Sequence, residues 1–392
     1  MEIMTNGTTT TARPGTLTNR ERFLRTVHCR PVDRGCNWEL GLGGQTTERW
    51  LHEGMPEDIH LARIGNLIQY GEYFGLDRVV WYDISCDPIP RFEHEVLEED
   101  ERYIVFRDGF GMVHRGLKEG TVRGTRMSMD TYMDFPVKTR EDWIEFKKRL
   151  NPKSPARYPM WWEDEVRALR DRTYPLLMGR DAAFGLYWKL RELMGTMGVS
   201  YAFFDQPTLI EEILEYLTDF YIEIMHPALH QVEFDMMVFS EDHAGKGGPL
   251  ISPAIFKKFF ARHYRRIAEF AKSHGVPLCL VGTDGYTVPL IGLLLDCGVD
   301  GQGPLECAAG MDPVELRRQF GTDLFLMGGI DKLVLPLGKD AIDRELYRKI
   351  PPLLEQGRYI PTIDHTVQPD VPYANWLYYL ELKKRLLEGH YA

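Results

Sequence analysis

Pro277-Leu278-Cys279-Leu280-Val281 is an apolar run followed, three positions on, by Asp284. The same arrangement returns at 299–305, which leads to Glu306, and at 359–362, which leads to His365. Short runs of this kind, bounded by turn residues, read as strands. In a barrel of alternating strands and helices, groups just past the C-terminal ends of different strands converge on one mouth. Two carboxylates and an imidazole gathered there can hold a divalent metal and leave a position open for substrate.

Working outward, eight strand candidates can be counted: 36–40, 78–83, 176–179, 236–240, 277–281, 299–305, 324–328 and 359–362. Eight is the number a closed (β/α)8 TIM barrel requires. Helical spacing of apolar residues fills most intervals, as in 207–232 (Leu209, Ile213, Leu217, Phe220, Ile224) and 252–274, with further helices at 312–320 and 339–355. The expected class is therefore α/β. One segment breaks the alternation. Residues 102–106 and 111–115 flank Arg107-Asp108-Gly109-Phe110, a β-hairpin inserted between the second and third strands. Residues 1–16, rich in Thr, Gly and Asn, read as a flexible tail, and 17–392 as one barrel domain. Order is expected from Thr18-Asn19-Arg20-Glu21, a helix-start pattern.

The bulk properties narrow the partners. A chain of 392 residues with 44% apolar content can build a large core. Net charge of -11 with dispersed Lys and Arg argues against nucleic acid. No apolar run reaches the length of a membrane span, and no signal-peptide core stands at the N-terminus. Six cysteines without a CxxC pair or regular framework suit a reducing, cytoplasmic setting.

Several stretches together resemble the uroporphyrinogen decarboxylase superfamily. They are 241–253 (Glu241-Asp242-His243-Ala244-Gly245 onward), Gly298-Val299-Asp300-Gly301 with Pro304-Leu305-Glu306, Gly328-Gly329-Ile330-Asp331-Lys332, and 359–365 followed by Pro369-Asp370-Val371-Pro372. The opening 18–34 is similar as well, and the resemblance spans about 17–388. It implies a barrel enzyme, either a porphyrinogen decarboxylase or a methyltransferase that serves corrinoid proteins or coenzyme M. The decarboxylases carry an Arg-rich segment after the first strand to pair substrate carboxylates. Here that stretch is Asn37-Trp38-Glu39-Leu40-Gly41-Leu42-Gly43-Gly44-Gln45, without Arg. A substrate bearing many carboxylates is expected to meet Glu39 instead. Asp83 and His365 nevertheless fall where that family places important polar residues.

The thiol-activating methyltransferases bind zinc through a His-x-Cys pair and a later Cys. The matching positions are Gly282-Thr283-Asp284 and His365, with Glu306 as a third ligand. Replacing sulfur by oxygen and nitrogen makes the metal a harder Lewis acid, suited to polarising an ether oxygen or an amine. The resemblance thus implies a zinc-dependent demethylase component that moves a methyl group from a small methylated donor, such as an aryl methyl ether, to a separate corrinoid protein. The alternative is decarboxylation of a small carboxylic acid. A homodimer is common among such relatives.

Blander readings stand beside each assignment. Asp284 precedes Gly285 and could simply make a turn; Glu306 could pair with a rim Arg; His365 could be a core histidine. Glu241 or Asp242 would orient or protonate the leaving group, with Asp83 a further catalytic candidate, or could instead hold backbone. Trp38, Trp188 and Tyr82 would line a pocket for a flat donor, or pack the core. Asp58-Ile59-His60 is similar to the start of a corrinoid-binding signature, but the next glycine, Gly65, comes two places late. The corrinoid is therefore expected from a partner, not from this chain.

Overall fold

A computed structural model describes residues 16–57, 71–82, 84–123, 125–179 and 183–391. Asp83, the segment containing Asp58-Ile59-His60, and residues 1–15 of the expected tail lie outside the described residues. Seven strands form one sheet in which every neighbour is parallel and follows in chain order. They are β1 (Val80–Tyr82), β2 (Leu176–Met178), β3 (Met236–Ser240), β4 (Cys279–Gly282), β5 (Gly301–Gly303), β6 (Phe325–Met327) and β7 (Tyr359–Ile360). Each lies within, or within one residue of, a run expected from sequence.

Alternation along these strands sets the two faces of the sheet. Leu177, Met236, Val238, Leu278 and Leu280 point inward with Phe325, Met327 and Ile360, and pack on Phe23, Val27 and Trp38. Leu176, Met178, Met237, Phe239, Cys279 and Val281 face outward against the surrounding helices. Both faces are thus apolar, which is why the runs read as continuous rather than alternating. The outer layer includes helices Leu186–Asp205, Pro207–Gln231, Ala261–Ser273, Lys339–Gln356 and Tyr373–Leu387. Thr18 opens the first helix, Asn19–Val27, with a reciprocal capping box to Glu21.

Two expectations are corrected. Residues 36–40 form no strand, so the sheet is a curled parallel array of seven strands. This segment is tied in by single bonds instead. Asp77 N–H donates to the Asn37 carbonyl, Val367 N–H to Gly41, and Leu42 makes one isolated parallel bridge with Val367. Glycines at 41, 43 and 44 leave little side chain to pack, which weakens a ladder there. The hairpin insertion is larger than expected. Glu95–Glu99, Tyr103–Arg107, Val113–Leu117 and Thr131–Asp134 make a four-stranded antiparallel sheet between β1 and β2. Its turn is held by Asp108, whose Oδ1 accepts the N–H groups of Phe110 and Met112.

Candidate active site

A cavity of about 400 Å³ opens within the curl of the sheet. Inward side chains of the strands, Leu177, Val238, Leu280 and Met327, line it, and Trp38, Trp81 and Trp188 add aromatic wall. Asp284, His365, Thr283 and Thr366 supply polar edges from the loops after β4 and β7. Asp284 and His365, two of the expected metal ligands, thus both line the cavity. Tyr82 is different: it packs against Trp162 and Phe234, at ring separations of 5.0 and 6.4 Å, and does not line the cavity. Its place at the end of β1 turns it outward, where Trp81 turns inward.

Asp284 is the electrostatic centre of the polar edge. Its Oδ1 is buried without a hydrogen-bond partner among the described residues. Desolvation pushes its carboxyl above the ordinary aspartate range, opposed by the nearby His365 ring and reinforced by the charges of Glu306 and Asp242; Lys332 acts with His365. Glu306, just past β5, accepts the Gly285 N–H at 2.9 Å, fixing the turn that carries Asp284. His365 Nδ1 lies 3.0 Å from the Thr366 hydroxyl. Asp284 thus feels the charge of both other expected metal ligands. The donor atoms of the three are not, however, all within 4.8 Å of one another. An orphaned carboxylate oxygen beside a second carboxylate and an imidazole is a donor set that suits a divalent ion. Holding one would require the three side chains to draw closer.

Glu241, expected as an acid, has its oxygens engaged. Oε1 accepts the N–H of Leu186 at 2.5 Å and of Tyr187 at 3.2 Å, and the Tyr264 hydroxyl also donates to it. Oε2 accepts the N–H of Trp188 at 2.8 Å. The carboxylate therefore caps the N-terminus of helix Leu186–Asp205 from a neighbouring strand, satisfying orphan donors at the positive end of the helix dipole. Because the Tyr264 hydroxyl gives its proton to Glu241, it accepts from His243 Nε2 at 2.8 Å, leaving His243 Nδ1 buried without a partner among the described residues. Burial holds the His243 imidazole below its ordinary value, so it stays neutral. Asp242 is paired with Arg191 and reaches the site as charge on Asp284.

Close backbone approach makes this end of the cavity possible. Gly179 has φ +97°, and a Cβ there would lie 1.9 Å from the Val238 carbonyl oxygen. At Gly185 the clash would be with the Ser240 carbonyl, at 2.0 Å. Only glycine fits at either position.

Glu39 also departs from expectation. Its side chain is fully buried and paired with Lys383, with the Tyr379 hydroxyl donating at 2.6 Å and Ile363 N–H at 3.0 Å. It presents no unpaired charge to a ligand. Lys383 was not singled out from sequence, although a signal existed. It lies four and seven residues after Tyr379 and Trp376 on the buried stripe of helix Tyr373–Leu387. Among the described residues one guanidinium, Arg78, lines the cavity, and it lies over the Tyr174 ring at 4.1 Å.

A curled parallel sheet of seven strands with polar groups just past their C-terminal ends is the layout of an α/β enzyme. The chain belongs to the uroporphyrinogen decarboxylase (URO-D) family, which it matches over residues 132–386. It is similar to a uroporphyrinogen decarboxylase of Syntrophotalea carbinolica, 23% identical over 267 residues, covering 66% of this chain and 73% of that protein. Its fold is similar to that of a methyltransferase from Methanosarcina mazei, with a TM-score of 0.59 at 16% identity, covering 96% of this chain and all of the other. Among the described residues no helix is long and apolar enough to cross a membrane.

Proposed function

We propose that the chain is a methyltransferase that takes a methyl group from a small methylated donor, such as an aryl methyl ether, for delivery to a separate corrinoid protein. The observation that carries this reading is the cavity's make-up: three tryptophans and inward aliphatic side chains, with Glu39, Asp77 and Glu241 of its lining engaged by protein partners and Asp284 left with a buried oxygen that no described residue pairs. A flat, largely apolar donor matches such walls. A substrate with many carboxylates would need several guanidiniums, and Arg78 alone lines the cavity among the described residues.

Asp284, Glu306 and His365 would hold a divalent metal, zinc by the nitrogen and oxygen donor set. When bound, such an ion acts as a Lewis acid toward the donor heteroatom. The chain's own contributions are positional. Glu306 fixes the Asp284 turn through Gly285 N–H. Glu241 fixes Trp188 against the cavity, and Trp38, stacked on Phe23 at 5.1 Å, forms the opposite wall. The aromatic lining excludes water from the reacting methyl group.

A second reading, decarboxylation of a small acid, is favoured by one observation. The Asp284 carboxyl is held toward its protonated form, as a proton-donating acid requires. The two separate in one assay: purified enzyme, reduced cobalamin, and a panel of methoxyarenes and methylamines, followed by methylcobalamin absorbance and by metal content. Donor-dependent methylation lost in Asp284→Ala supports the proposal. Carbon dioxide release from a small acid by metal-free protein, with no methyl transfer, overturns it.

A further inference from the structure

Far from the cavity, His226, His230 and His274 each offer a ring nitrogen, and these three atoms all lie within 4.8 Å of one another. His226 and His230 stand one turn apart near the C-terminal end of helix Pro207–Gln231. His274 is the C-terminal cap of helix Ala261–Ser273. Both helices lead into the starts of strands, so the cluster sits on the face opposite Asp284. We infer that it is a second metal site, a surface clip for a divalent transition ion of the zinc class joining the two helix ends.

Four observations point the same way. The Nε2 atoms of His226 and His230 are 3.0 Å apart. Two nitrogens bound at about 2.0–2.1 Å in tetrahedral geometry stand roughly 3.3 Å apart, so little movement is needed. His274 Nδ1 lies 2.8 Å from the Phe270 carbonyl oxygen, which can only accept. That bond puts the proton on Nδ1 and leaves the Nε2 lone pair free, the outer-partner arrangement that orients metal-bound histidines. The Phe270 ring packs on both His226 and His274, at 6.1 and 4.3 Å, restricting their rotation. Finally, both rings of helix carbonyls end here. The negative ends of two helix dipoles favour a cation at this point. His226 and His230 are exposed, so an ion can enter and keep water in its remaining position.

This inference does not depend on the proposed reaction, and the test separates the two sites. Full-length protein stripped with chelator is titrated with Zn²⁺ alone, by calorimetry and by thermal unfolding. The parent, His230→Ala, His274→Ala and Asp284→Ala are compared. The expected result is that His230→Ala and His274→Ala each lose one equivalent, or bind it at least about tenfold more weakly, the scale at which even outer partners matter. Asp284→Ala should keep that equivalent and should still gain thermal stability from Zn²⁺. Because His226 and His230 are exposed and His274 is half-buried at a helix end, the variants are expected to fold; circular dichroism checks this. Unchanged stoichiometry and affinity in both histidine variants overturns the site. So does complete loss of binding in Asp284→Ala.

Discussion

The carboxylate of Glu241 and the backbone N–H of Trp188 meet at 2.8 Å, joining the loop after β3 to the first turn of helix Leu186–Asp205, which follows β2. Tyr187 and Leu186 donate to the same carboxylate, so three successive peptide groups are fixed by one side chain. The position of an aromatic wall of the cavity is thereby set by an acid that the sequence had suggested for proton transfer.

Glu241→Ala leaves those N–H groups and the Tyr264 hydroxyl without their acceptor. It should lower stability by roughly 3 kcal/mol or more, at 1–3 kcal/mol per stranded buried group with partial relaxation. Urea unfolding measures it. Asp242→Ala, which removes a partly exposed pair with Arg191, should cost about 1 kcal/mol or less. Equal losses in the two variants would contradict the capping role.

Lys383→Met strands the buried Glu39 carboxylate and should cost about 3–5 kcal/mol. The double variant Glu39→Gln with Lys383→Met removes both charges and should recover much of that loss. A double-mutant cycle in urea gives the coupling, and a loss in the double variant equal to the sum of the singles would show that the pair does not act as a unit.

Asp284 gives a pH dependence of definite sign. Its folded-state carboxyl is raised above the unfolded value, mainly by desolvation, so the native state holds the proton more tightly. Stability is then greatest below the ordinary aspartate value, near about 4, and falls as pH rises through the raised folded value. In chelator-treated protein Asp284→Asn should unfold at a higher temperature than the parent at neutral pH. The gap should close on acidification. A gap that widens in acid would reverse the assigned shift.

Trp38 and Trp188 both line the cavity but should respond differently. Trp38 is buried and stacked on Phe23, so Trp38→Ala should cost about 3–5 kcal/mol in unfolding experiments. Trp188 is partly exposed, with its indole N–H on Glu192 at 2.8 Å. Trp188→Ala should cost about 1 kcal/mol or less and, in the methyl-transfer assay, raise KM for the donor more than it lowers kcat. A greater stability loss at Trp188 than at Trp38 would overturn this division.

The strands after the first were legible because both faces of a parallel sheet are covered, which writes apolar runs such as 236–240 into the chain. Glycines at turn exits and the capping box at Thr18 marked boundaries equally well. Residues 36–40 have the composition of a strand, yet their bonds go to Asp77, Tyr379 and Lys383, partners no local pattern reveals. The same limit governs the site. Asp284, Glu306 and His365 could be picked out by their position after a strand, and they follow β4, β5 and β7. Period-two alternation at 80–82 was enough in principle to separate Trp81 from Tyr82, had the inward face been known. The capping duty of Glu241 depends on where another helix begins, and the burial of Glu39 on a lysine 344 positions away.

That last separation has a kinetic meaning. The wall at 36–42 is held by Lys383 through Glu39 and the Trp38 carbonyl, and by Val367 through Gly41 and Leu42. None of these partners exists while a ribosome is still making the middle of the chain. Contacts between such distant residues bear a large loop-closure cost and form late. The early-synthesised tryptophan wall must therefore wait, unsealed, for helix Tyr373–Leu387 to arrive, and the cavity gains its full outline only in the closing moments of folding.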